Sequence, residues 1–130
     1  MGTIEPSLTK AAVRRRRWIF SLLSCLGVLA IVVVSFLPVR DKSSLHTRGR
    51  LHSPGHLVAF GLVAFLIGGS VRSPRARVVL AVVMVLLGFG VELGEYLTFK
   101  APLEWKDVLM DVVGIAGGTL LALAVGERDA

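Results

Sequence analysis

The sequence has few cysteines, few charged residues and few aromatic residues. Its single cysteine, Cys25, excludes a framework of intrachain disulfides. Charged residues make up 18% of the 130 positions and aromatic residues 7%, whereas 54% are hydrophobic. Because soluble domains carry about 25% charged residues, this chain is too apolar for an ordinary soluble domain. The same composition excludes a disordered or collagenous protein.

The hydrophobic residues that are present are concentrated in four blocks. The blocks cover residues 18–37, 55–71, 78–97 and 108–125. A helix rises about 1.5 Å per residue, so about 20 residues cross a hydrocarbon core of about 30 Å. Ordinary strands are shorter than these runs, and the alternation that a membrane β-barrel requires is absent. The sequence therefore predicts an all-α integral membrane protein with four transmembrane helices.

The first block could instead belong to a cleaved signal peptide. Such a peptide has an apolar region of about 7–15 residues that is followed by a small-x-small cleavage site. The block at 18–37 is longer, and its exit at Ser35-Phe36-Leu37-Pro38 has no such site. We therefore expect an uncleaved spanning helix.

The lysine and arginine distribution predicts that both termini lie in the cytoplasm. Nine basic residues fall on the side of the termini, including the run Arg14 to Arg17, and six fall on the other side. The net charge of +6 is then a topology signal, and we expect no nucleic-acid partner. The predicted organisation is a basic segment at 1–17, loosely ordered over residues 1–12, a four-helix domain at 18–125 and a tail at 126–130.

Five polar residues lie near the ends of the predicted spans: His56, Glu92, Glu95, Asp107 and Asp111. Carboxylates within spanning helices cost about 2.5–3.5 kcal/mol near the membrane centre and usually face a bundle interior or water. Because successive spans alternate in direction, all five residues fall at one depth. The sequence predicts a shallow polar pocket, external in the topology above. Glu95 and Asp107 could also be interfacial, and Asp107 or His56 could simply begin a helix.

Glycines accompany the acidic residues along both helices. Gly88 precedes Glu92 by one turn, and Gly90-x-x-x-Gly94 and Gly114-x-x-x-Gly118 are small-residue packing patterns. Because glycines allow close backbone approach, we expect these positions to bring the third and fourth helices together.

The chemistry of the pocket stays open at the level of sequence. His56 with an acidic partner could act in general acid–base catalysis, but motifs of serine nucleophiles, phosphate loops and zinc proteases are absent. His46, His52 and His56 are close in sequence, but we expect Pro54-Gly55 to prevent His52 and His56 from sharing a helical face. A histidine with several carboxylates could bind a divalent cation. Without a recognised ligand spacing, however, we predict no metal, and the cofactor and turnover stay undetermined.

Four short motifs at these positions resemble the VanZ-like family of small bacterial membrane proteins. They follow one another over residues 35–125: Ser35-Phe36-Leu37-Pro38, His56-x-x-Ala59-Phe60, Gly90-x-Glu92-x-x-Glu95 and Asp107-x-x-x-Asp111-x-x-Gly114-x-x-Gly117-Gly118. The chain departs from the family pattern where Glu95 replaces a glutamine, Asp111 replaces an asparagine and His52-Ser53 replaces Asp-Lys. Lys100 is the nearest basic residue to the family's arginine before the fourth helix.

The resemblance implies a multi-pass protein of the bacterial plasma membrane that acts in the cell envelope. The namesake of the family is associated with resistance to the glycopeptide teicoplanin. The implied partners are the lipid bilayer and a lipid or envelope-precursor ligand of the polar pocket. An alternative is a non-enzymatic assembly subunit that forms a homo-oligomer or a complex through its glycine faces. Ion or proton transport is a third hypothesis, disfavoured because the acidic residues cluster near one membrane face.

Overall fold

The computed structural model describes residues 6–38 and 52–128, which form four helices. These are α1 (Pro6–Ser35), α2 (His52–Ser70), α3 (Pro74–Phe99) and α4 (Trp105–Arg128). Each helix contains a segment that is long and apolar enough to cross a membrane. The prediction of an all-α protein with four candidate membrane spans is therefore confirmed.

Helix α1 begins earlier than the sequence analysis expects. Its 30 residues extend over about 45 Å, because the helix starts at Pro6 rather than near Trp18. The expected loose segment is thus wrong for residues 6–12, whereas residues 1–5 lie outside the described part. Proline suits the first helical position, and the alanines, lysine and arginines that follow are good helix formers. The basic segment therefore continues the first span as one helix.

Helix α2 runs through Pro54 and Gly55 without a break, contrary to the sequence-based expectation. Pro54 is the third residue of the helix, within the first turn, where backbone N–H groups have no intrahelical partner. Its missing N–H therefore costs no helical hydrogen bond. His52 and His56 consequently lie one turn apart in a single continuous helix, so the predicted interruption at Pro54-Gly55 is wrong.

Short connections place α2, α3 and α4 beside one another. Ser73 caps the start of α3, where its Oγ accepts a hydrogen bond from the Ala76 N–H at 3.4 Å and Pro74 follows as the first helical residue. At the other end Lys100 terminates α3 in the left-handed conformation, with φ 55°. Connections of three and five residues join helices that run in opposite directions.

The closest helix pair is α2 and α4, and glycines form its centre. A Cβ added to Gly114 or Gly118 would overlap the carbonyl oxygen of Leu57 or Gly61, respectively. These glycines therefore join α4 to α2, and the prediction that they join α4 to α3 is wrong. On α3, a Cβ at Gly94 would lie 2.6 Å from the Phe36 ring, and a Cβ at Gly90 would have no neighbour within 4 Å in the described part of the chain.

Apolar side chains occupy both the interior and the outer surface of the bundle. The buried core contains Phe60, Val63, Ala64, Met84 and Ile115. Many large apolar side chains point outward, among them Trp18 at 73% exposure, Leu86 at 64% and Leu120 at 65%. An apolar outer surface of this extent suits contact with lipid rather than water. The chain is a multi-pass membrane protein whose surrounding partner is the bilayer.

Arginines contact backbone carbonyls at the bundle end where α2 finishes and α3 begins. Arg17 Nε donates to Ser70 O at 2.9 Å. The Arg77 guanidinium donates to Val71 O at 3.2 and 3.3 Å and to Ala122 O at 3.3 Å. Arg77 thus links the exit of α2 to α4, and Arg17 satisfies the carbonyl at the end of α2, which has no intrahelical partner.

We expect Arg77→Ala to lower the unfolding free energy by about 1–3 kcal/mol, because the carbonyls of Val71 and Ala122 lose partly buried, charge-assisted hydrogen bonds. Arg75→Ala is the matched control, since Arg75 is exposed on the same turn of α3. Equilibrium unfolding in mixed micelles measures both values. Equal stabilities for the two variants would show that the Arg77 contacts do not stabilise this end of the bundle.

Candidate functional site

A histidine and an aspartate from two different helices meet at the opposite end of the bundle. His56 lies in the second turn of α2 and Asp111 in the second turn of α4. His56 Nδ1 is 2.9 Å from Asp111 Oδ1, and the two side chains are 15% and 3% exposed. The glycine-mediated contact between α2 and α4 brings these two positions together.

Asp107 lies one turn before Asp111 on α4 and is fully buried. The Ser53 hydroxyl donates to Asp107 Oδ1 at 2.6 Å. Ser53 precedes His56 by three residues, so the two side chains lie on one face of α2. Two polar residues of α2 therefore contact two aspartates of α4 in matching order.

The third helix contributes Glu92, which is 6% exposed although it is a glutamate in an apolar span. The backbone N–H of Glu104, in the connection between α3 and α4, donates to Glu92 Oε2 at 3.4 Å. Ligand atoms of His56, Glu92 and Asp107 all lie within 4.8 Å of one another. We call His56, Glu92, Asp107 and Asp111 the polar cluster.

Two non-polar residues determine the shape of the polar cluster. The ring of Phe60 stacks on His56 with a centroid separation of 6.1 Å and an interplanar angle of 14°. A Cβ added to Gly88 would lie 2.9 Å from Asp111 Oδ2 and 3.3 Å from Phe60 Cε1. Gly88 therefore leaves the space on α3 that the Asp111 carboxylate occupies.

Four of the five polar residues predicted from the sequence lie close together and form the polar cluster. The fifth, Glu95, lies one turn beyond Glu92 and is half-buried near the end of α3. His46 lies outside the described residues, and so do Arg40, Lys42, Arg48 and Arg50 of the same connection.

Sequence reasoning missed two groups of the site, the Ser53 hydroxyl and the Glu104 amide. Ser53 carries a usable signal, since it lies three residues before His56 on a helix. The Glu104 amide carries none, because any residue at that position except proline would offer the same N–H group.

Comparison with protein-family models, with curated proteins and with solved structures finds no match to this chain. It is a four-span helical membrane protein with a His/Glu/Asp cluster. The chemistry of the polar cluster follows from its burial. Carboxylates removed from water need a compensating proton, cationic group or metal ion. The arrangement can accordingly exchange protons, hold a cation or bind a ligand that supplies hydrogen-bond donors.

Proposed function

We propose that this chain is a VanZ-like protein of the bacterial cell envelope and that its polar cluster binds or processes an envelope component. The main support is that the motif residues from three helices converge. His56, Glu92 and Asp111 belong to three separate motifs of the resemblance, and His56 Nδ1 lies 2.9 Å from Asp111 Oδ1. A shared site is a reason for such motifs to occur together in one chain.

The position of the polar cluster in the bundle suits an envelope ligand. It lies where α2 and α4 begin and α3 ends, away from the arginine contacts of Arg17 and Arg77. With both termini in the cytoplasm of a bacterial plasma membrane, as the basic residues predict, this end faces the outside. Lipid-linked envelope precursors and glycopeptide antibiotics are accessible from that side.

The acidic character of the polar cluster restricts the ligand. Asp111 stands where the family pattern has asparagine, and Glu95, nearby on α3, stands where it has glutamine. Three buried carboxylates repel a bare phosphate and favour a cationic, hydroxyl-rich or metal-bridged ligand. We propose a ligand of this kind, with altered teicoplanin susceptibility as its cellular consequence.

The test is the double substitution Glu92→Gln/Asp111→Asn in a glycopeptide-susceptible host. Both replacements keep the shape of the side chain and remove its charge, so we expect the protein to fold. Expression of the natural sequence should change the minimum inhibitory concentration of teicoplanin at least 4-fold. The double variant should restore the value of the empty vector.

Glu104→Gln is the matched control, because its carboxylate is exposed and its N–H group to Glu92 is retained. Membrane levels of all variants are compared by immunoblot. An unchanged teicoplanin phenotype in the double variant at equal membrane level would contradict the proposed function.

The alternative hypothesis of a non-enzymatic assembly subunit loses its principal support. Gly114 and Gly118, its strongest pair, contact α2 of the same chain. Gly94 contacts Phe36, and of the four predicted packing glycines Gly90 alone has no described residue within 4 Å of an added Cβ. Packing within the single chain therefore accounts for three of the four predicted packing glycines.

A further inference from the structure

We infer that the polar cluster is a binding site for a divalent transition-metal ion, with Zn²⁺ as the preferred ion. The protein ligands are His56, Glu92 and Asp107. The role of this ion as a bridge to an envelope ligand rests on the proposed function. Binding of the ion itself is tested directly on the purified protein.

The three ligand atoms lie close enough together to surround one ion. They come from α2, α3 and α4, and all lie within 4.8 Å of one another. Ligand atoms that surround one zinc ion at about 2.0–2.2 Å lie roughly 3.0–3.6 Å apart. Side-chain movements of about 1 Å would therefore close the site, with no change in helix packing.

Each of the three ligand side chains also forms a hydrogen bond with another group of the protein. Asp111 Oδ1 contacts His56 Nδ1 at 2.9 Å, Ser53 donates to Asp107, and the Glu104 N–H donates to Glu92. Metal-binding histidines characteristically use their other ring nitrogen to contact a carboxylate, which fixes the tautomer and the ring orientation. Because Asp111 contacts Nδ1, the other ring nitrogen, Nε2, is the one left for the ion, and the inference assigns Asp111 a positioning role.

The space beside the polar cluster, which does not depend on these hydrogen bonds, also suits the proposed site. Gly88 faces the polar cluster from α3, and a Cβ there would lie 2.9 Å from Asp111 Oδ2. The missing side chain lets the Asp111 carboxylate stay beside His56. The Phe60 ring stacks on His56 and restricts its rotation.

The donor set selects among the divalent ions. One imidazole nitrogen with two carboxylates suits Zn²⁺ and its transition-metal neighbours, whereas Mg²⁺ and Ca²⁺ prefer oxygen ligands alone. Three protein ligands leave a coordination position for water or an oxygen of a bound molecule. The ion would also offset the cost of burying Glu92 and Asp107.

The test is a Zn²⁺ titration of purified protein in lipid nanodiscs after removal of metal with a chelator. We expect one Zn²⁺ per chain by isothermal titration calorimetry and at least 100-fold weaker binding of Mg²⁺ and Ca²⁺. His56→Gln, Glu92→Gln and Asp107→Asn should each weaken the Kd for Zn²⁺ at least 100-fold. Asp111→Asn should weaken it about 10- to 100-fold, as expected for a positioning residue. Acidification should weaken binding, because the ligands must be deprotonated.

Leu62→Ala, whose side chain is 56% exposed on the outer surface of α2, serves as the control and should keep the natural affinity. Circular dichroism and size-exclusion elution confirm folding of each variant, and the visible spectrum of bound Co²⁺ reports the ligands in the unsubstituted protein. Absence of stoichiometric Zn²⁺, or an affinity in all three ligand variants equal to that of the natural sequence, would overturn the inference. If the natural sequence binds Zn²⁺ as expected but cells with Glu92→Gln/Asp111→Asn keep the teicoplanin phenotype of the natural sequence, the proposed function alone is refuted. Loss of the phenotype without Zn²⁺ binding would refute only the metal.

Discussion

Replacing Gly118 with alanine is expected to lower the unfolding free energy of the bundle by about 3 kcal/mol. The added Cβ would overlap the carbonyl oxygen of Gly61 and would lie 3.0 Å from the backbone nitrogen of Phe65. Both neighbours are backbone atoms of α2, so no side chain can rotate to make room. Overpacking of this kind typically costs about 1–3 kcal/mol and sometimes more, and α2 and α4 must separate to relieve it.

The matched control for this prediction is Gly117→Ala, one position earlier on the same helix. Among residues 6–38 and 52–128, none lies within 4 Å of a Cβ at Gly117, and alanine is the better helix former by about 1 kcal/mol. We therefore expect Gly117→Ala to be neutral or stabilising. Unfolding of both variants in mixed micelles, followed by circular dichroism, gives the comparison. A Gly118→Ala protein as stable as Gly117→Ala would show that α2 and α4 are not in backbone contact.

A functional consequence follows from the same contact. The polar cluster is formed across α2 and α4, with His56 on one helix and Asp107 and Asp111 on the other. Separation of these helices would therefore increase the distance between His56 Nδ1 and Asp111 Oδ1. We expect Gly118→Ala to impair the site although residue 118 lies nearly two helical turns from Asp111.

The sequence was sufficient to predict four spans and the depth of the polar residues. Both follow from strong physical constraints, namely the length of apolar runs and the alternating direction of successive helices. It was insufficient for the pairing of helices, because Gly114-x-x-x-Gly118 indicates a close contact without naming its partner. The extent of α1 was also missed, since the hydrophobic run marks the span and not the helix that continues beyond it.

The convergence of His56, Glu92 and Asp107 illustrates a second limit. Local ligand spacing is informative when two ligands share a helix or a loop, but these three come from three helices. Their mutual distances depend on the rotation of each helix about its axis, which the glycine contacts and the Phe60 ring determine. Pro54 posed a different problem, because a proline within the first turn of a helix is compatible with both a break and a start.

Phe60→Ala is the second substitution with a large expected effect. It distinguishes the contribution of Phe60 to core packing from its contribution to the orientation of His56. Phe60 is 1% exposed, belongs to the core and stacks on His56. Truncation of a buried phenylalanine costs about 3–5 kcal/mol in soluble proteins. The part of this cost that comes from lost packing contacts also applies inside a bilayer. Leu62→Ala on the same helix is the control, because Leu62 is 56% exposed on the outer surface.

We expect Phe60→Ala to lower the unfolding free energy by about 3 kcal/mol and Leu62→Ala to leave it nearly unchanged. The Phe60 variant should also weaken Zn²⁺ binding, because the His56 ring gains rotational freedom that binding must remove. Phe60→Leu restores most of the volume without the stacked ring, so it should recover stability more fully than Zn²⁺ affinity. Equal recovery of both quantities would show that Phe60 acts on the site only by filling space and that ring stacking does not orient His56.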